Sequence, residues 1–224
     1  ISKLSRHILK RHLRNNYHLI IASSPDNQKL MMRAFNQPAE NVAITGYPRQ
    51  DIINKQTKDP TLRILYAPTW RANNQTAIKL FRQFFMTLKK HHPTLKQYDV
   101  DISLHPLNKN IAASIAVNHP NATIINDTDI NMVLGNYSTL ITDYSSIAID
   151  FLPLKRKLFF FTPDLEDYGE GRGLYPEFIQ FIEDNQLGSQ GSTSAKKLSN
   201  HYFSFSDNNN CRRITERIQT ELNT

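Results

Sequence analysis

The sequence predicts an α/β fold: a Rossmann-like, mainly parallel sheet with helices on both faces. Three observations predict it. Short apolar runs alternate with longer segments of helical periodicity along most of the 224 residues. The runs lack the polar alternation of a sheet with one wet face, so both faces of their strands are expected to be covered. Polar and charged residues gather just after several runs, where an open parallel sheet binds its ligands.

Taken in order, "ISKLSRHILKRHLRNN" (1–16) spaces Ile1, Leu4, Ile8 and Leu13 at helical intervals, with Lys3, Arg6, Lys10, Arg11 and Arg14 between them. It reads as a basic amphipathic linker helix that packs one stripe on a core. An anionic membrane surface is the alternative partner for such a helix. "YHLIIAS" reads as a strand. "SPDNQKLMMRAF" reads as a helix, with Ser24 as N-cap and Pro25 at its first position. "NVAITG" is a strand ended by Gly46, and "LRILYAPTW" is another, followed by the helix "TAIKLFRQFFMTLKKHH". "YDVDISLHP" and "ATIIN" read as strands, "DINMVLGN" as a helix and "TLITD" as a strand. "SSIAIDFL" reads as a helix, "RKLFFFTPD" as the last strand, and the tail as mostly helical. The loop-like "NQLGSQGSTS" (185–194) separates the tail helices from the rest. The expected organisation is therefore a linker helix at 1–16, one Rossmann-like domain at 17–185, and a helical extension of that domain at 186–224.

Twenty-seven Lys and Arg against 20 Asp and Glu leave a net charge of +7, which favours anionic partners without naming them. The single Cys211 excludes an internal disulfide framework and a cysteine metal cluster. The sequence holds no apolar run of the ~18 residues needed to cross a bilayer and no signal peptide. It opens on Ile1, so a longer protein is expected. GxGxxG, the P-loop, HExxH, GxSxG and CxxC are all missing, as are the aromatic-interleaved basic stretches of single-strand RNA readers.

The strand ends hold the candidate chemistry. They deliver Thr69, Trp70 and Arg71; His105 before Pro106; Asp143, Ser145 and Ser146; and Asp164, with Arg172 and Gly173 following in "YGEGRGLY". Two arginines, a histidine and two serines on one rim compose a polyanion site. A helix starting at Ser145–Ser146 would direct unpaired N–H groups and its dipole at a phosphate, without a glycine-rich loop. Asp143 would cap that helix, orient a serine or accept from a substrate hydroxyl. Ser145 as a plain N-cap is an equal and compatible reading. Arg71 and Arg172 would each grip phosphate, or else form ion pairs with Asp143, Asp164 or Glu170. His105 would stabilise a leaving group beside a diphosphate.

"GYPRQD" (46–51), "ILYAPTWR" (64–71), "LHP" (104–106), "LITDYSSIAIDF" (140–151) and "FFFTPDLEDYGEGRGLY" (159–175) occur in this order. Together they resemble the C-terminal half of the CDP-glycerol glycerophosphotransferases, the teichoic-acid primases and polymerases, with related capsule polymerases carrying similar motifs. The resemblance covers about residues 17–185. It implies one half of a GT-B architecture, the donor-nucleotide domain, working with no cofactor and no metal at the cytoplasmic face of a bacterial membrane as a peripheral protein. It implies CDP-glycerol or CDP-ribitol as donor and a lipid-linked polyol-phosphate polymer as acceptor. By the same resemblance His105 is the catalytic histidine at the donor pyrophosphate, Ser145 and Ser146 sit at the donor phosphates, and Arg172 with Gly173 forms the "RG" motif. Asp143, Thr69 and Arg71 join the substrate-binding set, Arg71 as the basic end of "APTWR". The family's other histidine, in a "WHG" motif, has no counterpart, since the only tryptophan is Trp70. The chain is therefore expected to bind a CDP-alcohol but to be inactive by itself. The alternatives are a GT-B sugar-nucleotide glycosyltransferase domain and a non-catalytic nucleotide-binding module. A nucleic-acid partner ranks last.

Overall fold

The computed structural model describes residues 16–56, 61–91, 99–119, 122–125, 129–166, 168, 176–189 and 194–223. The expected basic helix at 1–16 lies outside these residues, apart from Asn16. Contacts divide the chain into two units. One comprises the described parts of Ile1–Lys55 and Lys197–Thr224, the other those of Gln56–Lys196. The strand pairing follows this division.

In the first unit, β1 (Ile20–Ala22) and β2 (Val42–Ile44) pair in parallel, with Ile20 opposite Val42, and form a sheet of their own. Helix α1 (Pro25–Phe35) makes the crossover between them. Its start is the one expected: the Ser24 hydroxyl accepts from the Asn27 N–H at 3.1 Å and Pro25 occupies the first turn. Asn36 ends it in the left-handed conformation at φ 53°. A helix that the sequence reading did not anticipate, α2 (Pro48–Asn54), follows Gly46, whose φ of +78° suits glycine. Its buried Asp51 accepts from the N–H groups of Asn210 (3.1 Å) and Cys211 (2.8 Å). One carboxylate thus caps the C-terminal helix, which runs Asn210–Leu222.

The second unit is a five-stranded sheet in the order β5-β4-β3-β6-β7, parallel throughout. Its strands are β3 (Thr61–Ala67), β4 (Val100–Ser103), β5 (Ala122–Ile125), β6 (Tyr137–Thr142) and β7 (Lys157–Phe160). Helix α3 (Asn74–His91) buries Ala77, Phe81, Phe84 and Leu88, an apolar stripe at helical spacing. On that face of the sheet Tyr66 of β3 stacks on Phe84 with ring centroids 3.7 Å apart, and Phe81 and Phe161 meet Tyr66 edge-on. The opposite face presents Phe160, which helix α6 (Pro176–Asp184) covers with Phe178 and Phe181 at 5.8 and 5.4 Å. Both faces are covered, which explains why the strands read as continuous apolar runs.

Three segments differ from expectation. A 3₁₀ turn (Pro106–Ile111) and helix α4 (Ala112–Asn118) follow β4, where no element was assigned. "DINMVLGN" forms two separate 3₁₀ turns, Ile130–Met132 and Leu134–Asn136, instead of a helix. The helix after Ser146, α5 (Ile147–Phe151), is only five residues long.

Candidate functional site

Strands β3, β4 and β5 run to one side of the sheet and β6 and β7 to the other. The order therefore reverses between β3 and β6. Loops leaving the carboxyl ends of these two strands diverge to opposite sides, and the crevice between them is where doubly wound sheets hold their ligands. The last rung of the β3–β6 ladder pairs Ala67 with Thr142, and the Thr142 hydroxyl donates to the Ala67 carbonyl at 2.6 Å. One residue further, Asp143 continues the pairing by side chain.

Asp143 is buried, and both of its oxygens are occupied. Oδ1 accepts from the Thr69 N–H at 2.8 Å and the Tyr144 N–H at 2.7 Å. Oδ2 accepts from the Thr69 N–H at 3.0 Å, the Thr69 hydroxyl at 2.9 Å and Arg71 Nη2 at 3.1 Å. Burial pushes its carboxyl above the ordinary carboxylate range, against the opposing pull of Arg71 and the Thr69 donors. Asp143 is thus a buried clasp between the two central strands and has no oxygen left over for capping α5.

Arg71 extends the clasp. Its Nε donates to Asp164 Oδ2 at 3.0 Å and Nη2 reaches both Asp143 and Asp164. Nη1 donates to the carbonyl and hydroxyl of Thr69. Every nitrogen of the guanidinium is engaged, and the ion-pair reading of Arg71 describes what is found. Burial lowers its pKa, and Asp143 and Asp164 more than offset that, so the group is held above its usual value. Asp164 also accepts from the Tyr144 hydroxyl at 2.9 Å, and Tyr144 stacks on Tyr168 with centroids 3.8 Å apart. Burial, then the neighbouring Asp164, raise the Tyr144 phenol well above its ordinary value.

His105 lies beyond β4 on the same cleft, whose walls include Thr69, Arg71, His105, Asn108 and Asp143. Its Nδ1 accepts the Leu107 N–H at 3.2 Å, which leaves the proton of the neutral ring on Nε2. The imidazole is exposed, so Nε2 is open to a ligand. Asn108, three residues on, was not singled out from the sequence. It is buried, accepts from the Arg71 N–H at 3.1 Å and donates to the Arg71 carbonyl at 3.0 Å.

The structure therefore brings His105, Thr69, Arg71 and Asp143 together. Ser145 and Ser146 follow Asp143 but are not among the cleft walls. Ser145 Oγ accepts the Ile147 N–H at 3.4 Å, while Ser146, exposed, is the N-cap of α5 and makes no side-chain capping bond. With only five residues, α5 supplies far less dipole than the longer helix expected there. Arg172 and Gly173 lie outside the described residues. Among the described residues no three His, Cys, Asp or Glu side chains gather as a metal-holding group, and no helix is long and apolar enough to cross a membrane.

The family described as CDP-Glycerol:Poly(glycerophosphate) glycerophosphotransferase matches residues 2–220. The chain belongs to this family. Among similar curated proteins are the teichoic acid poly(ribitol-phosphate) polymerase of Bacillus spizizenii, 28% identical over 75% of this chain and 30% of its own length, and the teichoic acid poly(glycerol phosphate) polymerase of Bacillus subtilis, 27% identical over 73% and 24%. The chain thus spans less than a third of either relative. Among solved structures, the wall teichoic acid polymerase TagF superposes with a TM-score of 0.74 at 20% identity, over 98% of this chain and 61% of that one. The UDP-GlcNAc 2-epimerase of Neisseria meningitidis superposes at 0.55 and 15% identity, over 91% and 62%. These likenesses support the α/β fold, and the epimerase shows it to be shared beyond the glycerophosphotransferase family.

Proposed function

We propose that this chain is the donor-binding part of a transferase that takes a polyol phosphate from CDP-glycerol or CDP-ribitol and adds it to a lipid-linked teichoic-acid or capsule polymer. The observation that carries the reading is His105 on the switch-point cleft, with Nδ1 tied to the Leu107 N–H and Nε2 open. Family membership supplies the donor class. A TagF structure soaked with CDPG supports the same class. Names among the relatives include both glycerol and ribitol phosphates, so the donor is given as either.

In the proposed reaction an acceptor hydroxyl attacks the β-phosphorus of the CDP-alcohol. A new P–O bond forms to the acceptor, the bond from β-phosphorus to the bridging oxygen breaks, and CMP leaves with that oxygen. The hydroxyl proton goes to a base outside this chain. The Nε2–H of His105 meets the charge growing on the bridging oxygen. Arg172, Gly173, Ser145 and Ser146 join the phosphate site on the strength of their motifs, whereas Thr69, Asp143 and Arg71 hold its floor. The acceptor side, the membrane surface and a peripheral location on the cytoplasmic face belong to the same proposal for the complete protein.

The test uses the complete protein with CDP-glycerol and CDP-ribitol, reading CMP release and calorimetric binding, with UDP-GlcNAc as control. His105→Ala should cut turnover by about a hundredfold or more, the scale of lost acid–base or charge stabilisation, while the unfolding midpoint stays unchanged. Wild-type turnover in that variant overturns the role of His105. Preference for the UDP-sugar overturns the donor class.

A further inference from the structure

We infer that Asn108 is a positioning residue for His105, and that it works by clamping the turn after β4 to the backbone of Arg71; this rests on the reading of His105 above. Three observations carry it. First, Asn108 is buried in the cleft wall, 5% exposed, in a turn whose other residues from His105 to Leu107 are exposed. A buried amide must be satisfied, and this one is: it accepts from the Arg71 N–H and donates to the Arg71 carbonyl. The two-point contact fixes the orientation of the peptide groups either side of Arg71, much as a base pair fixes its partner. A third contact, to Asn74 Oδ1 at 3.4 Å, ties the same amide to the first residue of α3.

Second, the clamp connects directly to the histidine. The Asn108 N–H donates to the His105 carbonyl at 2.8 Å, and the Leu107 N–H between them donates to Nδ1 of the ring. The turn that sets the imidazole plane is thus closed at one end by His105 and pinned at the other by Asn108. Third, the residue it grips is itself immobilised. Arg71 is bound through its side chain to Asp143 after β6 and Asp164 after β7. Through Arg71 the loops after four strands form one hydrogen-bonded unit, and the Asn108 side chain joins the His105 turn to it by two hydrogen bonds, beside a ring contact between Trp70 and His105 with centroids 6.4 Å apart. Without it the exposed turn that carries the histidine loses its two-point hydrogen-bonded tie to the Arg71 backbone. Displacements of about 1 Å at a reacting group cost on the order of a hundredfold in rate.

The complete protein is the test object. Asn108→Ala removes the clamp. Asn108→Asp keeps the size and the acceptor for the Arg71 N–H, but sets an oxygen against the Arg71 carbonyl, so it breaks the clamp without leaving a cavity. The primary readout is the imidazole resonance of His105 in protein labelled at histidine nitrogen, assigned by its loss in His105→Ala. Both variants should shift the Nδ1 and Nε2 signals toward those of a freely rotating ring. Turnover should fall about tenfold to a hundredfold while the KM for the CDP-polyol moves by no more than about threefold, at temperatures where circular dichroism shows the fold intact. Asn108→Ala should add little to His105→Ala, because the two act through one group. Unchanged imidazole signals in both variants overturn the inference, as does full turnover per folded molecule. If His105→Ala proves as active as wild type, the functional reading falls instead, and the resonances alone then decide the role of Asn108.

Discussion

Replacing Arg71 with methionine separates two roles that the residue could play. The side chain keeps an unbranched apolar stem and loses the charged guanidinium, so Asp143 is left buried, 2% exposed, without its cation. Removing one partner of a buried ion pair costs about 3–5 kcal/mol. Thr69 and Tyr144 still donate to both Asp143 oxygens, which places the expected loss near the lower end, about 3 kcal/mol. For chains of roughly 150–250 residues that corresponds to a melting point about 6–12 °C lower. The loss must also depend on pH. A carboxyl with a higher pKa in the folded than in the unfolded chain stabilises the fold while protonated, below the unfolded value. That contribution disappears as pH rises through the folded value. Burial already raises the Asp143 pKa, and loss of Arg71, which opposes that rise, moves it further up. The variant should therefore be closest to wild type near pH 5 and fall progressively behind by pH 8. Urea unfolding followed by circular dichroism at several pH values measures this. A deficit equal at every pH refutes the buried-clasp argument. Intact stability with lost CDP-polyol binding would make Arg71 a phosphate ligand after all.

Two further outcomes follow from the same contacts. Asp51→Ala removes the acceptor for the first two N–H groups of the C-terminal helix and should lower stability by about 1–2 kcal/mol, read as a urea midpoint shift; an unchanged midpoint refutes the cap. Arg172→Ala should weaken CDP-polyol binding about tenfold or more, the value of a charge-assisted phosphate contact, without moving the unfolding midpoint; unaltered calorimetric affinity removes Arg172 from the site.

The strands were legible because a strand covered on both faces reads as a short apolar run without strict polar alternation, as "ILYA" (64–67) and the Leu140–Ile141 centre of "TLIT" do. The start of α1 was legible because Ser24 and Pro25 each serve one local geometric need. Helix α2 was not, since seven residues cannot display a repeat of 3.6, and three of them (Gln50, Asp51 and Ile53) are buried regardless of polarity. The segment "DINMVLGN" has helical spacing but turns twice instead. Its Gly135 backs onto Gln56, which donates to the Asn131 carbonyl and accepts from the Gly135 N–H, contacts that no local pattern announces. At the site, the residue types were visible and their partners were not. Asp143 and Thr69 are 74 positions apart, and nothing in either stretch says that one satisfies the other. Asn108 was passed over because an asparagine after His-Pro reads as an ordinary turn residue.

The partners of Arg71 change what must hold the donor. Its single positive charge is shared between Asp143 and Asp164 and is not free for an anion in the cleft. A pyrophosphate gains nothing from that trio at a distance. On the proposed reading the favourable contacts come from groups that the two carboxylates leave free: the Nε2–H of His105, the donors beyond Asp143 and the arginine of the "RG" motif. In this arrangement the buried carboxylate is retained for geometry. It ties the loop after β3 to the loop after β6 at the point where the sheet would otherwise open, and Arg71 makes its burial tolerable. The strand ends on Thr142-Asp143 with no glycine because the side chain, and not the backbone, continues the pairing past the last rung. A glycine there would ease the turn and release the floor of the cleft on which His105 depends.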